Sequence, residues 1–469
     1  LYNTTDDDNP QKTGEVRVSS PELAGFLGLA DLFGISLGTS RVLGGFFYQD
    51  RRIEDSKLTI GINLPAEGQF LAYNSLPAGT PVPPIDAFIG PAVQIGLIGL
   101  FDTLADPEAR TNMFYTQKTK SYAGFSNLSW SPLERFEIEY GMRFTVEQKE
   151  ATWNRFNEPF GTGSAFAVLG GEEFVAARDR SESAFTPKAS LRYEWSDEIG
   201  LYFAWSKGFK AGGYNEQAHN NTDAALEYDA EKAEAFEIGA KMRLLDDTLS
   251  LNVDLFRHDV TDFQVLTLPP LSVSTTVVNA GEARAQGLEA DSTWLATDWL
   301  TLYATLSFND SEFLEFPLGQ CSFDRTDTDG NGDGRCDATG QPLFRTPKWA
   351  SALAANLRFP LASLPRIGSL DLLSQSGIDL LGGGTAEYQD VQYLERTYDE
   401  RVRQSPFVRF GLNAGIANEE QGWSLRISVE NLTDRSTGVL IRDVPLGGGN
   451  FYKILEPQRL VFGAFRWTF

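Results

Sequence analysis

Apolar and polar residues alternate along several unusually long segments of this chain. Between residues 135 and 147 the even-numbered positions are apolar, whereas the odd-numbered positions carry charged residues, Gly or Thr. Segments 236–244 and 249–255 repeat the pattern. Because successive side chains of a β-strand point to opposite faces, each segment predicts a strand with one apolar and one polar face.

The length of these segments separates two classes of β-protein. Strands of soluble sandwiches are usually about 5 or 6 residues long, whereas a strand that crosses a membrane needs about 9 to 11 residues. The long segments predict an all-β fold, a transmembrane antiparallel β-barrel, with a large soluble β-protein as the alternative. On this hypothesis the outer face carries Phe136, Ile138, Tyr140, Phe144, Leu251 and Val253.

About 15 strands are legible in the pattern, joined by connections that alternate in length from the third strand onward. Short turns on one side and long loops on the other are typical of outer-membrane barrels. The tight turns are 131–133, 196–198, 245–247 and 296–298, and two of the long loops are 211–228 and 313–345. The predicted strands lie near residues 13–19, 39–50, 112–130, 134–149, 184–195, 199–210, 229–244, 248–261, 277–295, 299–312, 346–359, 368–382, 404–417, 421–435 and 455–469.

Composition argues against several other classes. The net charge of −24 over 469 residues argues against nucleic acid as a partner, since phosphate binding needs a basic surface. No stretch approaches the roughly 20 apolar residues of a membrane-spanning helix. Residues 1–11 are polar and acidic, unlike a signal peptide, so we expect the chain to be either mature or truncated.

Six short motifs occur in order over residues 112–469 and together resemble the TonB-dependent receptors of the iron-complex group. We interpret them as architectural rather than as ligand contacts. They are Gly141–Thr145, Thr186–Ser190 with Ser206–Asn215, Tyr228–Lys241, Asn279–Glu289, Val429–Asp434 and Glu456–Phe469. The last motif ends with aromatic residues on one strand face, and outer-membrane barrels resemble one another in ending on an aromatic that the barrel-assembly machinery recognises. Phe469 is the residue in that position; alternatively, the terminal aromatics simply form an interfacial girdle.

The resemblance implies a 22-stranded barrel that encloses an N-terminal plug and imports a scarce ligand into a Gram-negative cell across its outer membrane. An iron–siderophore complex is the expected ligand, with cobalamin, haem and oligosaccharide as alternatives. The implied partners are outer-membrane lipid and lipopolysaccharide, the TonB complex, and the barrel-assembly machinery. The residues that bind the ligand cannot be assigned from the sequence.

The sequence departs from this family pattern at its N-terminal side. It shows no plug-like segment or transducer-binding peptide, and about seven strands of the family barrel are not legible. Successive strands of an antiparallel barrel alternate in direction. If Phe469 is taken to lie at the periplasmic end, counting strands back from it makes the first legible strand run toward the periplasm. We therefore expect residues 1–469 to be an N-terminally incomplete barrel, whose two edges membrane hydrocarbon does not tolerate unpaired.

Catalysis has little support, and we expect the protein not to be an enzyme. His219 and His258 are isolated in the sequence, and no nucleophile elbow, phosphate loop or HExxH motif occurs. Gly382–Gly384 and Gly447–Gly449 are interpreted as flexible loop glycines. The chief rival function is a passive diffusion channel, and an outer-membrane barrel enzyme would need a nucleophile set that is absent.

Loop 313–345 contains one specific local sequence motif. Asp327, Asp329, Asn331 and Asp333 stand at alternate positions and resemble the calcium loops of dockerins and thrombospondin type 3 repeats. Ala338 replaces the usual bidentate Glu, which leaves Asp337 as a substitute and predicts weak, millimolar-range binding. The chain's two cysteines, Cys321 and Cys336, flank the motif, so we predict that a disulfide closes an extracellular loop around a structural Ca²⁺. No catalytic cofactor is expected.

Overall fold

The computed structural model describes residues 2–8, 10–24, 38–61, 110–158, 172–267, 275–322, 335–363, 377–443 and 449–468. Most of these residues lie in β-strands. Within these ranges, helix is confined to Asp223–Leu226 and to the 3-10 turns Leu361–Ser363 and Glu400–Val402. None of the described helices is long and apolar enough to cross a membrane.

One antiparallel sheet of 17 strands forms the wall of the described structure. Its first three strands line up end to end along the fourth, so the wall has fifteen passes. In chain order the strands are β1 (Tyr2–Asp8), β2 (Gln11–Ser19), β3 (Leu23–Ala24), β4 (Thr39–Gly61), β5 (Arg110–Leu133), β6 (Phe136–Glu158), β7 (Phe174–Glu194), β8 (Ile199–Lys210), β9 (Gly213–Tyr214), β10 (Glu227–Tyr228), β11 (Glu231–Leu244), β12 (Leu249–Thr267), β13 (Thr276–Thr297), β14 (Leu300–Glu315), β15 (Trp349–Pro360), β16 (Ile378–Gln389), β17 (Gln392–Tyr393), β18 (Arg403–Gln404), β19 (Phe407–Asn418), β20 (Trp423–Glu430), β21 (Gly438–Asp443), β22 (Phe451–Leu455) and β23 (Leu460–Trp467). Three small hairpin pairings, β9 with β10, β17 with β18 and β21 with β22, lie outside the wall.

The register of the wall gathers apolar side chains on one face. Ile238 of β11, for example, lies between Phe203 of β8 and Leu255 of β12. Ile238 is 57% exposed and Phe144 of β6 is 52% exposed, as side chains on the outer surface of a barrel must be. None of the six predicted outward residues is buried. The predicted fold, an all-β antiparallel barrel, is confirmed.

Aromatic side chains collect near both ends of this apolar face. Phe308, in the middle of β14, packs against Trp349, the first residue of β15, with ring centroids 4.6 Å apart. Trp299 and Phe359 pack 5.8 Å apart at the opposite end. Two aromatic bands that flank an apolar belt are typical of barrels that cross an outer membrane.

From β5 onward the connections are sorted by length, as predicted, except that residues 361–377 form a long connection between β15 and β16 at the end that otherwise carries tight turns. Tight turns join strands at one end of the wall, at residues 134–135, 195–198, 245–248, 298–299 and 419–422. The opposite end carries long connections, which include residues 211–230, 316–348 and 390–406. We call this end the loop rim, and it also includes the hairpin of β21 and β22.

Two predicted strand positions are wrong. The strand expected at 368–382 is β16, Ile378–Gln389, and residues 364–376 lie outside the described structure. Gly382–Gly384 are therefore strand residues rather than loop glycines, and neighbouring β15 and β19 supply the pairing that their own propensity lacks. The strand expected at 455–469 is interrupted, because Pro457 has no N–H for a ladder hydrogen bond, and β23 begins only at Leu460.

The wall has two edges in the described part of the chain. No pairing among the described residues joins β23 to β1 or β2. Every residue of β2 and β23 is exposed.

Candidate functional site

Loop 211–230 folds back over the polar face of the wall at the loop rim. Trp153 of β6 has the same parity as Arg143 and Glu147, which belong to the face predicted to line the lumen. The Trp153 ring packs edge-on against Tyr214 of the loop, with centroids 5.4 Å apart. Leu226 is fully buried in the same cluster. The loop therefore packs on the lumen side of the wall rather than outside it.

Asn215 fixes this loop to two strands of the wall. Its backbone carbonyl accepts a hydrogen bond from Trp153 Nε1 at 3.0 Å. Its side-chain amide bonds both backbone groups of Val277, at 3.1 Å through Nδ2 and at 2.7 Å through Oδ1. One buried residue thus links β6 to the start of β13.

The other loops of the rim pack against one another. A buried cluster anchors loop 316–348 and consists of Phe313, Phe316 and Ala338. Tyr398 of loop 390–406 packs against its edge. Leu394, Val402 and Ile441 form a second cluster between loop 390–406 and the hairpin of β21 and β22. The described part of the rim is therefore a set of packed loops rather than separate ones.

Basic side chains lie beneath loop 211–230. Arg155 of β6 is only 7% exposed and donates from Nη1 to the carbonyl of Ala218 at 2.9 Å. The neighbouring His219 is half-buried, and its Nδ1 is sealed from solvent without a hydrogen-bond partner in the described structure. Burial, reinforced by the charges of Arg155 and Arg335, lowers the pKa of His219, whereas Glu172 acts to raise it.

A second charged group lies where loops 316–348 and 390–406 meet. Glu395 is 7% exposed, and Arg442 Nε lies 4.0 Å from its carboxylate. Burial raises the pKa of Glu395, while the nearby Arg396, Arg442 and Arg345 act to lower it. Three guanidinium groups thus act electrostatically on one carboxylate.

The structure leaves most of the predicted calcium site untested. Asp327, Asp329, Asn331 and Asp333 lie outside the described residues. Asp337 accepts a hydrogen bond from the backbone N–H of Thr339 at 2.8 Å. Within the described ranges no group of three or more His, Cys, Asp or Glu could hold a metal ion.

The two cysteines are joined in the structure. Cys321 and Cys336 form a disulfide, and the backbone N–H of Cys336 donates to the carbonyl of Gly319 at 3.0 Å. The bridge closes the part of loop 316–348 that contains Asp327, Asp329, Asn331 and Asp333, whereas Asp337 directly follows Cys336.

Sequence reasoning missed the residues that build the rim. Asn215 stands within the motif Ser206–Asn215, which was interpreted as architectural, and its contacts are architectural. Arg155 and Glu395 belong to no sequence motif. Their burial arises only because loops that are distant in the sequence fold over them. His258 lies on β12 beside Phe256, with ring centroids 5.5 Å apart, and is far along the chain from His219.

Comparison with known proteins finds one family across most of the chain. The family model described as "TonB dependent receptor-like, beta-barrel" matches residues 2–432. The metal-pseudopaline receptor CntO of Pseudomonas aeruginosa is 29% identical over 133 residues, which are 28% of this chain and 18% of that relative. The probable TonB-dependent siderophore receptor PiuA of Acinetobacter baumannii is 23% identical over 342 residues, which are 70% of this chain and 38% of that relative.

Solved structures show the same fold. The ferric yersiniabactin uptake receptor FyuA from Yersinia pestis superimposes with a TM-score of 0.67 at 16% identity, over 100% of this chain and 55% of that one. The structure of PiuA from Acinetobacter baumannii gives a TM-score of 0.62 at 16% identity, over 98% of this chain and 56% of that one. The chain thus spans about half the length of these receptors.

Proposed function

The chain belongs to the TonB-dependent receptor family, to its β-barrel part, and from this premise we propose that it serves an outer-membrane receptor that imports an iron–siderophore complex or a similar metal chelate into a Gram-negative cell. The barrel wall crosses the membrane in this account. The loop rim faces the exterior and supplies part of the ligand-binding surface. The ligand class follows the names of the similar proteins, which are receptors for ferric yersiniabactin, for siderophores and for metal-pseudopaline.

The observation that carries the proposal is the inward packing of loop 211–230. A passive channel conducts through an open lumen, whereas here loop 211–230 folds over the lumen side and is fixed by Trp153 and Asn215. A packed rim offers a preformed surface, which lowers the entropic cost of binding a ligand. This arrangement favours a receptor over a diffusion channel.

The remaining partners follow from the same proposal. Transport would be energised through the TonB complex, and the aromatic bands would lie at the two interfaces with lipid and lipopolysaccharide. Phe469 would be recognised by the barrel-assembly machinery. The protein would be a transporter rather than an enzyme. A weak calcium site in loop 313–345 would stiffen the rim without taking part in chemistry.

Growth under iron limitation tests the proposal. A strain that lacks the gene is expected to lose growth on one ferric chelate from a panel, and a plasmid copy is expected to restore it. The panel contains catecholate, hydroxamate, carboxylate and mixed chelates, with cobalamin and haem added separately. Unchanged growth of the deletion strain on every supplement, in a background without other receptors for these ligands, would contradict the assignment.

A further inference from the structure

Arg155 differs from the other basic residues beneath loop 211–230 in having no counter-ion. Lys149 pairs with Glu147 at 2.7 Å, Arg178 with Asp223 at 3.0 Å, and Arg180 with Glu182 at 3.4 Å. In the described structure Arg155 contacts no carboxylate within salt-bridge distance, and its one hydrogen bond goes to the neutral carbonyl of Ala218. A buried guanidinium without a partner is costly, because burial penalises an uncompensated charge.

The free part of this guanidinium is not sealed inside the protein. Its Nε and Nη2 have no acceptor among the described residues, yet neither is among the atoms cut off from solvent. These N–H groups therefore face accessible space on the lumen side of the wall. A guanidinium presents its donors in a planar fork that matches the oxygens of an anionic group.

A second potential hydrogen-bond donor lies beside Arg155. His219 follows Ala218 directly, and its imidazole Nδ1 has no partner. Arg335 of loop 316–348 and Glu172 both act electrostatically on His219, in opposite senses.

We propose that Arg155 and His219 form an anion-binding subsite at the loop rim, and that the imported chelate places an anionic oxygen group there. The inference rests on the proposed function and narrows its ligand class to chelates with net negative charge or a free carboxylate. Arg155 binds the oxygens through its free N–H groups. His219 supplies a further donor beside it, and loop 211–230 holds both residues in place.

Binding measurements on the purified full receptor test the subsite. Two probes differ in charge: a ferric tris-catecholate complex is anionic, and a ferric trihydroxamate complex is uncharged. Affinity is measured by quenching of tryptophan fluorescence for the wild type and for Arg155→Gln, Arg155→Lys and Arg135→Gln. Arg135 is a matched control, because it lies in a tight turn at the opposite end and pairs there with exposed Asp197.

Loss of the Arg155 charge should weaken binding of the anionic probe more than binding of the uncharged probe. Arg155→Gln should weaken the anionic probe by about 10- to 100-fold, the range typical of hydrogen bonds to charged groups. Arg155→Lys should recover part of this loss, and Arg135→Gln should match the wild type. Retained heat-modifiability and an unchanged proteolysis pattern of loop 211–230 would show that Arg155→Gln is folded. Arg155→Lys repeats the binding measurement with the positive charge kept.

Other outcomes separate the inference from the proposed function. Wild type that binds only the uncharged chelate, or Arg155→Gln that binds the anionic probe as well as wild type, would overturn the subsite and leave the importer standing. An equal loss for both probes would also overturn it, because that loss would be structural. Failure of every chelate in the growth panel to bind the wild type would overturn both.

Discussion

Asn215 holds the backbone of Val277 through two hydrogen bonds, of 3.1 and 2.7 Å, although the two residues are 62 positions apart in the chain. The side-chain amide completes the backbone donor and acceptor of a residue at the start of β13. Asn215 is 4% exposed, so water cannot replace either bond. This contact ties loop 211–230 to the start of β13.

Asn215→Ala is therefore expected to loosen the loop without unfolding the wall. Leaving two buried backbone groups unsatisfied costs about 1–3 kcal/mol each. The rate of proteolytic cleavage within residues 211–230 should rise about tenfold or more, while heat-modifiability of the barrel is retained. Asn221→Ala is the control, since Asn221 lies in the same loop and is exposed. Equal cleavage rates for the two variants would show that the Asn215 contact does not hold the loop.

Gly239→Ala tests the architectural interpretation of the motif Tyr228–Lys241. A Cβ at Gly239 would lie 2.6 Å from the ring of Tyr202, whose hydroxyl donates to Glu237 at 2.6 Å. Displacing this ring should destabilise the barrel by about 1–3 kcal/mol. Gly208→Ala is the control, because its nearest neighbour is the Ala233 Cβ at 3.6 Å. The midpoint of thermal unfolding on gels should fall for Gly239→Ala only, and equal midpoints would contradict the close packing.

The lowered pKa of His219 predicts that loop 211–230 opens in acid. The ring takes up a proton more readily when the loop is open, where its pKa returns toward about 6.5. The stability of the closed loop is fully present above that pH and is lost as the pH falls through the lowered pKa of the folded state. Cleavage of the loop should therefore accelerate between about pH 7 and pH 5. His219→Gln should flatten this dependence, and an unchanged acid response in this variant would assign the effect to another group.

Calcium binding to the loop closed by Cys321 and Cys336 remains a prediction. Calorimetry on the oxidised receptor should detect one site with millimolar-range affinity, as in extracellular modules. Asp329→Ala should abolish the signal, whereas Asp298→Ala, in a tight turn at the opposite end, should preserve it. Absence of heat in the wild type at several millimolar Ca²⁺, with the disulfide intact, would exclude the site.

The strands of the wall were predictable because the alternation that specifies each strand lies within that strand. In segments such as 135–147, alternation of side chains along one strand fixes which face meets lipid, and β6 follows it from Phe136. Strand ends were harder, since the Gly382–Gly384 run looks like a loop until β15 and β19 pair with it. The rim could not be predicted. Contacts such as Trp153 with Asn215 join residues 62 positions apart, and no local pattern specifies them.

Uptake of the radioiron-labelled chelate that supports growth tests the central claim most directly. Cells that express the receptor in an otherwise receptor-free strain are assayed over a range of chelate concentrations, with and without a protonophore. The account predicts saturable uptake that stops when the proton gradient collapses. Uptake that rises linearly with concentration and is unaffected by the protonophore would contradict it and identify a passive channel.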